Sequence, residues 1–418
     1  MAKLLPVKKL LLLAALCLVA YAPALNLPLI EDDYPNIAQA LDFPSPVAPL
    51  LNPIFRTRAT SYWAMKSLYG AFHMSPNAYH SFSLALHIFN TWLLYFALRQ
   101  WRQTRAAALW AAGFFAVHEG HQEAVMWFSA INELLQFLFG GLALLLWMRG
   151  RRWIAPSLLC FALALISKES AVVFVALFVF AWFGRPQTLP RWSLLPYAIF
   201  AAIAVASVVM TQSYSFRFSD GSFSWHAPFW ITLPRGFFRL MWIWGWIAAA
   251  ILAWRARAAF THGAALAAII WIAVALLPYS FLTYSTQIPS RQTYLASAGL
   301  ALLFGLMASH LYEQGGGFRS AAIVLAIAAL LHNVGYIWYR KRPQFLARAQ
   351  PTEQLIHAVR ETGAPVWVQC FPLARITAEA AVRLETGLSP QDLLWTEAEA
   401  QQRPPKTVLC YMDVHRAQ

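Results

Sequence analysis

The sequence predicts an α-helical polytopic membrane protein with about eleven transmembrane helices and a small α/β module at its C-terminal end. Of its 418 residues, 59% are hydrophobic and only 12% are charged. Soluble chains carry roughly 25% charged residues, so the bilayer is the solvent for most of this one. The net charge of +14 comes from short basic clusters between apolar runs. Such clusters are typical of membrane loops that contact anionic lipids, and they argue against a nucleic-acid partner.

The predicted spans follow from the requirement of ~20 mostly apolar residues for one membrane crossing. The basic N-terminus and first apolar run resemble a signal peptide, but no clear cleavage site follows, so we expect a retained helix. The two runs on either side of 167–170 are short and form either two spans or one broken segment. The predicted spans are 9–29, 78–98, 106–126, 132–148, 153–167, 170–184, 192–210, 236–254, 262–282, 292–310 and 318–339.

Lys and Arg set the predicted orientation, because cytoplasmic loops are enriched in them. With a cytoplasmic N-terminus, the inner loops hold about twice as many Lys and Arg residues as the outer loops. Segment 31–77 is then the first outer loop, and we expect a bacterial inner membrane with the active site on its periplasmic face. The basic cluster 340–342 follows the last span on the outer side, against this rule.

The tail is polar and differs from the rest of the chain, so we divide the sequence into a transmembrane domain, 1–342, and a small soluble α/β module, 343–418. Segments 354–363 and 374–387 have a helical pattern, and 365–371 and 406–414 have a strand pattern. Cys370 and Cys410 fall in the two predicted strands. They form either a disulfide, which is typical of an extracytoplasmic module, or two buried thiols.

Four polar segments are predicted to meet on the outer face: EDDYPN at 31–36, VHEGHQEAVMW at 117–127, SKES at 167–170 and IPSRQTYL at 288–295. Ionisable groups at membrane depth are costly and usually line a functional cavity. The three adjacent carboxylates Glu31, Asp32 and Asp33 favour either a general base with a raised pKa or a divalent cation such as Mg²⁺ or Mn²⁺ held between them. A solvated acidic turn is the alternative.

The other polar residues have two interpretations each. His118 and His121 are three residues apart, not four as in a zincin helix, so a polar pocket with Glu123 is favoured over zinc. Lys168, Arg291 and Arg58 are either phosphate ligands near the membrane surface or interfacial basic residues. Tyr294, which follows Arg291 in the same segment, adds a hydroxyl donor.

The chain resembles the polyprenyl-phosphate-dependent glycosyltransferases of the C superfamily (GT-C). Within them it is most similar to bacterial relatives of the O-mannosyltransferases that carry tetratricopeptide repeats. Four stretches carry the resemblance: DDYPNI, the segment 58–99, FAVHEGHQEAVMWFSAINELL, and the pair SKES and RQTYLASAGL. Together they extend from about residue 20 to 300. The sequence departs from the pattern at Glu119, where proline is usual, and at Asn132 or Ile131, where arginine is expected. No repeat array follows.

The resemblance implies a membrane glycosyltransferase that moves a sugar from a polyprenyl-phosphate donor to an acceptor hydroxyl of a glycan, lipid or protein. It implies that Asp32 and Asp33 hold the catalytic base and that Lys168 and Arg291 face the carrier phosphate. Two other functions stay open. A ligase or polymerase of envelope polysaccharide would use a diphosphate-linked donor, and a flippase for lipid-linked sugars would show inverted repeats and charges in mid-membrane.

Overall fold

The computed structural model describes residues 4–101, 105–183, 189–211, 223–224, 226–255, 263–283, 285–363 and 365–411. Within these ranges the chain is predominantly helical. Eight helical segments are long and apolar enough to cross a membrane: Val7–Asn26, Pro76–Gln100, Phe128–Trp147, Trp192–Met210, Phe229–Arg255, Ala264–Phe281, Ser290–Gln314 and Gly316–Thr362. The predicted spans 170–184 and 262–282 and the predicted strand 406–414 each extend partly outside the described residues.

The α-helices alternate with short 3₁₀ turns and are numbered here in chain order. Those before the last membrane helix are α1 Leu4–Tyr21, α2 Asp33–Asp42, α3 Ala48–Leu51, α4 Ala59–Phe72, α5 Pro76–Gln100, α6 Ala108–Val117, α7 Gln122–Met126, α8 Ile131–Trp147, α9 Ile154–Leu165, α10 Phe174–Phe183, α11 Leu195–Thr211, α12 Phe229–Arg255, α13 Ala264–Leu276 and α14 Tyr294–Gln314. The last membrane helix, α15 Gly316–Gly335, runs through a π-helical turn, Tyr336–Lys341, into α16 Arg342–Thr362.

Three of the eleven predicted spans are shorter in the structure than a bilayer requires. Helices α6, α9 and α10 have 10, 12 and 10 residues, whereas a straight crossing needs about 20. A polar segment lies directly before or after each of these helices and leads toward the candidate site. The polytopic helical fold is confirmed, and the count of eleven spans stays a prediction.

Helix α14 forms the centre of the bundle and is buried over nearly its whole length. Two glycines allow neighbouring helices to approach its backbone. A Cβ at Gly299 would lie 2.6 Å from the carbonyl oxygen of Ala268, and one at Gly305 would lie 2.7 Å from the backbone nitrogen of Ala111. Close approach at small residues is how helices pack in a membrane, where no hydrophobic force drives them together.

The tail folds as a three-stranded parallel sheet with helices packed against it. Its elements after α16 are β1 Val366–Gln369, α17 Arg375–Thr386, β2 Leu393–Leu394, α18 Glu397–Gln402 and β3 Thr407–Cys410. The strand order is β2-β1-β3, with Val366 opposite Thr407 and Gln369 opposite Cys410. The two strands and the two helices predicted for the tail are therefore present. The additional strand β2 is only two residues long, too short to give a sequence pattern.

Cys370 and Cys410 are free thiols in the structure, and both are exposed. Their exposure corrects the alternative of two buried thiols. The side chains of Cys370 and Cys410 are in hydrogen-bond contact with each other, and the disulfide stays a prediction. Cys370 lies just beyond the end of β1, where its backbone has a positive φ of 55°. The chain has therefore left the strand before the cysteine is reached.

The tail lies on the same face as segment 31–77. Arg383 of α17 contacts Asp42 at 2.6 Å, and Arg348 of α16 contacts Glu31 at 2.6 Å. Tyr34 also donates a hydrogen bond of 3.5 Å to Glu353. The first loop and the C-terminal module therefore pack against each other.

Candidate active site

The four polar segments predicted to converge do meet, at the ends of α1, α6, α9 and the turn that precedes α14. Gln122 donates to Ser290 at 2.6 Å, and the backbone N–H of Arg291 donates to Glu123 at 3.1 Å. Asn36 donates to Ser129 at 3.1 Å. These contacts join residues far apart in the sequence through their polar groups.

A pocket of about 190 Å³ opens between these segments. Its ionisable lining combines two carboxylates, Asp32 and Glu169, with three cations, Arg58, Lys168 and Arg291. The remaining lining residues are uncharged: Asn36, Ser61, Tyr62, Met65, Trp127, Ser129, Ala130, Asn132, Phe223 and Gln292. An acid beside several cations, at a recess where the helices end, is suited to chemistry on an anionic ligand.

The acidic cluster does not act as one group, because its three side chains point in different directions. Asp32 lines the pocket and is exposed. Asp33 is fully buried, and its two oxygens accept backbone N–H bonds from Ile30 at 2.9 Å and Ser129 at 2.6 Å. Glu31, which has a positive φ of 46°, turns away to Arg348.

The environments of the two aspartates raise both pKa values for different reasons. Burial raises the pKa of Asp33 to about 7, and the N–H bonds from Ile30 and Ser129 oppose the shift only in part. The pKa of Asp32 is raised by loss of water and then by the neighbouring Glu31, whereas Arg291 and Arg348 oppose the rise. A carboxylate with a raised pKa is a stronger base, and Asp32 is accessible to a ligand in the pocket.

The cations of the pocket are paired to different extents. Arg58 forms a two-point ion pair with Glu169. Lys168 is buried and bonded to Glu133, whose second oxygen accepts from Tyr279 at 3.2 Å. Buried ion pairs of this kind are costly to break, because the partner would be left charged without water.

Arg291 has a looser pairing than the other two cations. Its guanidinium lies 3.7 Å from Glu123 and 4.8 Å from the ring centre of Trp127. Its side chain is 27% exposed, compared with 14% for Arg58 and 5% for Lys168. Arg291 is therefore the pocket cation best placed to take a new anionic partner.

Trp127 contacts two arginines from distant parts of the chain. Arg291 lies over its ring at 4.8 Å and Arg348 at 4.7 Å. Arg348 also donates to both oxygens of Glu31, at 2.8 and 2.6 Å. The tail helix α16 thereby fixes the turn that carries Asp32. Sequence reasoning missed Arg348, since one arginine in a polar helix carries no local signal of this contact.

The histidines predicted to border the pocket lie in the bundle core, which corrects that interpretation. His121 is fully buried and bonds Ser297 at 2.6 Å, and His118 stacks on Phe114. Tyr294, also predicted to bind substrate, is fully buried against His87 at 2.8 Å. Of His118, His121, Glu123 and Tyr294, only Glu123 contacts a residue that lines the pocket, namely Arg291.

The acidic triplet does not fit a shared divalent cation. Glu31 is bonded to Arg348, and both oxygens of Asp33 accept backbone N–H groups. Of the three carboxylates, Asp32 therefore lines the pocket by itself, whereas Mg²⁺ and Ca²⁺ sites need several oxygen ligands. Across the described ranges, no group of three His, Cys, Asp or Glu residues is arranged to hold a metal ion.

These features define a polytopic helical membrane protein, and its fold is shared with a solved structure, which confirms the fold predicted from the sequence. The chain superposes on the crystal structure of ArnT from Cupriavidus metallidurans bound to undecaprenyl phosphate. The TM-score is 0.50, with 13% identity over 95% of this chain and 88% of that chain. At this identity the likeness concerns the fold.

Two further relatives are more distant or more partial. The oligosaccharyltransferase of Archaeoglobus fulgidus, tethered to an acceptor peptide, gives a TM-score of 0.48 at 12% identity, covering 94% of this chain and 64% of that chain. The protein O-mannosyl-transferase Tmtc1 of Drosophila melanogaster is 30% identical over 179 residues, which is 38% of this chain. This chain spans 21% of the length of that relative. No protein-family model matches the chain.

Proposed function

We propose that this protein is a membrane glycosyltransferase that moves a sugar from a polyprenyl-phosphate donor to an acceptor hydroxyl in the pocket at Asp32. One observation carries the proposal: an accessible carboxylate with a raised pKa lies in the same recess as Arg58 and Arg291, within a GT-C fold. The carboxylate can accept the proton of the acceptor hydroxyl, and the cations can bind the departing phosphate.

The step is an inverting displacement. Asp32 takes the proton of the acceptor hydroxyl, whose oxygen forms a bond to the anomeric carbon of the sugar. The bond between that carbon and the phosphate oxygen breaks at the same time, and its electron pair leaves with the lipid phosphate. Asp33 does not touch the reactants in this scheme. It is a positioning residue, because its bonds to Ile30 and Ser129 hold the turn that presents Asp32.

The phosphate is proposed to bind Arg291 first and Arg58 second. Arg291 has the weaker ion pair and more exposure, and a planar guanidinium matches two phosphate oxygens. Lys168 lines the pocket but is committed to Glu133, so it contributes positive potential and holds the pocket wall. The solved relative ArnT was crystallised with undecaprenyl phosphate, and this supports a lipid phosphate carrier here.

We place the reaction on the periplasmic face of a bacterial inner membrane. The basis is the excess of Lys and Arg in the loops opposite the pocket. The tail module lies on the pocket side of the bundle, since Arg348 and Arg383 contact the first loop. It would therefore be periplasmic as well. No metal-dependent step is proposed, because Glu31 and Asp33 are already bonded to protein groups.

The test uses the purified full-length chain in liposomes with a labelled hexose on undecaprenyl phosphate and envelope glycolipids as acceptors. Asp32→Asn should abolish transfer of label, whereas the matched change Asp42→Asn should leave it within twofold, because Asp42 lies at the far end of α2 in an exposed ion pair. Transfer by Asp32→Asn within twofold of the unchanged protein would refute the assignment. Movement of intact labelled lipid across the bilayer without cleavage would identify a flippase instead.

A further inference from the structure

A second cationic groove lies beside the reaction pocket, on an exposed side of α12. Its volume is about 640 Å³, and it is lined by Arg235, Gly236, Phe238, Arg239, Trp242, Gln287 and Ile288. Segment 287–292 separates the two sites, since Gln287 and Ile288 line the groove and Arg291 and Gln292 line the reaction pocket. The lining residues of the two sites do not overlap.

The two arginines of the groove are one helical turn apart, so their side chains share a face of α12. Like charges at this spacing repel, and a nearby anion would compensate them. Arg235 donates to the hydroxyl of Thr286 at 2.8 Å, and Arg239 donates to the carbonyl oxygen of Ile288 at 3.4 Å. Within the described ranges, neither guanidinium lies within 4.0 Å of a carboxylate.

The nearest acidic influence on the groove comes from Glu119, which interacts electrostatically with Arg239 and with Lys341. Burial raises the pKa of Glu119, and the two cations oppose that rise. Lys341 also interacts electrostatically with Glu123, Arg239 and Arg340, and Arg235 adds a further cation in the groove itself. The local charge stays positive, and a second anion would be favoured there.

The position of the groove indicates a ligand from the membrane. Arg235 lies near the beginning of a span 27 residues long, and Arg255 is its last residue, so the groove lies toward one end of the span. Phe238 and Trp242 beside the arginines are 59% and 55% exposed. Exposed aromatic rings next to arginines are typical of the headgroup region.

The local backbone shapes the groove. A Cβ at Gly236 would lie 2.6 Å from Cδ1 of Ile288, so glycine lets α12 pack directly against segment 287–292. Trp242 has a φ of 34° and interrupts the helix one turn further on. The indole of Trp242 is exposed at this break and lines the groove, which leaves room for an acyl chain to lie against it.

We propose that this groove binds the phosphate headgroup of an anionic phospholipid from the surrounding leaflet. Arg235 and Arg239 would take the phosphate oxygens through charge-assisted hydrogen bonds, and Phe238 and Trp242 would contact the upper acyl chain. The proposal does not rest on glycosyl transfer. It requires only that a bilayer phosphate reaches the groove, so it stands or fails separately from the role of Asp32.

The test measures binding of dioleoyl-phosphatidylglycerol to the purified full-length chain, by the shift of thermal unfolding as the lipid is titrated into neutral detergent. We expect Arg235→Gln with Arg239→Gln to weaken apparent affinity at least about tenfold, the loss of one or two charge-assisted bonds. Arg255→Gln is the matched control, since Arg255 is exposed on the same helix over Trp254. It should bind as the unchanged protein does.

Three results would overturn the proposal. The double variant could keep full affinity for phosphatidylglycerol, or phosphatidylcholine could give the same shift, which would remove the role of net negative charge. Inorganic phosphate at the same concentration could reproduce the effect, which would identify a soluble anion as the ligand. Arg239→Lys guards against a folding defect, because it retains the charge and should keep most of the binding.

Discussion

Asp33→Asn should lower stability, although the substitution changes only one atom of a side chain next to the proposed base. The carboxyl accepts two backbone N–H bonds in a fully buried position. An asparagine offers one acceptor oxygen, and its NH₂ group would face the other N–H. One buried backbone donor is then left without an acceptor, at a cost of ~1–3 kcal/mol.

Asp32→Asn provides the contrast. Asp32 is exposed at the pocket and accepts no backbone N–H bond comparable to those of Asp33, so its loss should change unfolding free energy by less than about 0.5 kcal/mol. Both variants are unfolded in a denaturant series in the same detergent, and transfer is measured on the same samples. If Asp33→Asn is as stable as the unchanged protein but inactive, Asp33 is itself catalytic and our division of roles is wrong.

The raised pKa of Asp33 also predicts the direction in which the free energy of unfolding changes with pH. The folded state binds the proton more tightly than the unfolded state, since burial raises the pKa from 3.8 to about 7. The contribution of Asp33 to unfolding free energy should therefore fall as pH rises between about 4 and about 7, by at most ~1.4 kcal/mol per pH unit. Asp33→Asn should remove this slope. An unchanged slope between pH 5 and 7 would mean that Asp33 is ionised throughout.

Three other outcomes are expected. Arg348→Gln should reduce transfer about tenfold, because Glu31 and Trp127 lose a shared partner worth ~1.5 kcal/mol. The control is Arg360→Gln on the same helix, which breaks an exposed ion pair and should leave transfer unchanged. Equal activity of the two variants would contradict a link from the tail to the site. Gly305→Ala should destabilise by ~1–3 kcal/mol, since its Cβ would meet the backbone of α6 at 2.7 Å. Gly335→Ala, with no atom within 4 Å, should be neutral or stabilising, and thermal unfolding compares the two. Lys168→Met should lower the unfolding midpoint strongly, because it leaves Glu133 buried with an unpaired charge. Adding Glu133→Gln removes that charge and should restore most of the midpoint. No recovery would mean that the ion pair itself supplies the stability.

The fold was predictable because the bilayer imposes it. Apolar runs of sufficient length must form helices that satisfy their own backbone groups, and the eight long spans follow directly from hydropathy. The short helices α6, α9 and α10 were predicted as segments but not with their lengths. Their ends are set by tertiary contacts, as when the hydroxyl of Thr60 donates to Ser167 at 2.7 Å. Local sequence does not contain that pairing.

The site was predictable in its location more than in its roles. The order of polar segments placed Asp32, Lys168 and Arg291 around one recess, and the structure brings them together. The sequence did not indicate that Glu133 neutralises Lys168, because a glutamate within an apolar helix gives no sign of its partner. His118 and His121 resembled pocket residues because they are polar. They are buried instead, in the turn between α6 and α7, where His121 bonds Ser297 of α14.

Segment 31–33 shows how three chemically similar residues acquire separate roles. Glu31 leaves the turn in a left-handed conformation and binds the tail, Asp33 is buried and holds the turn, and Asp32 is exposed between them. A helical or extended backbone would place side chains regularly, but the positive φ at Glu31 breaks that regularity. The division of roles depends on this turn rather than on the count of carboxylates.

The pairing of charges in the pocket determines where a phosphate would enter. Before a ligand binds, Arg58 is matched by Glu169 and Lys168 by Glu133. Removing either partner would leave a buried carboxylate without a counter-charge, which is costly. Arg291 and Glu123 are 3.7 Å apart and about a quarter exposed, so water can replace the arginine as partner of the carboxylate. Arg291 is therefore the cation that a phosphate can recruit at the lowest cost, and we expect Arg291→Gln to weaken donor binding more than Lys168→Gln, provided both variants fold.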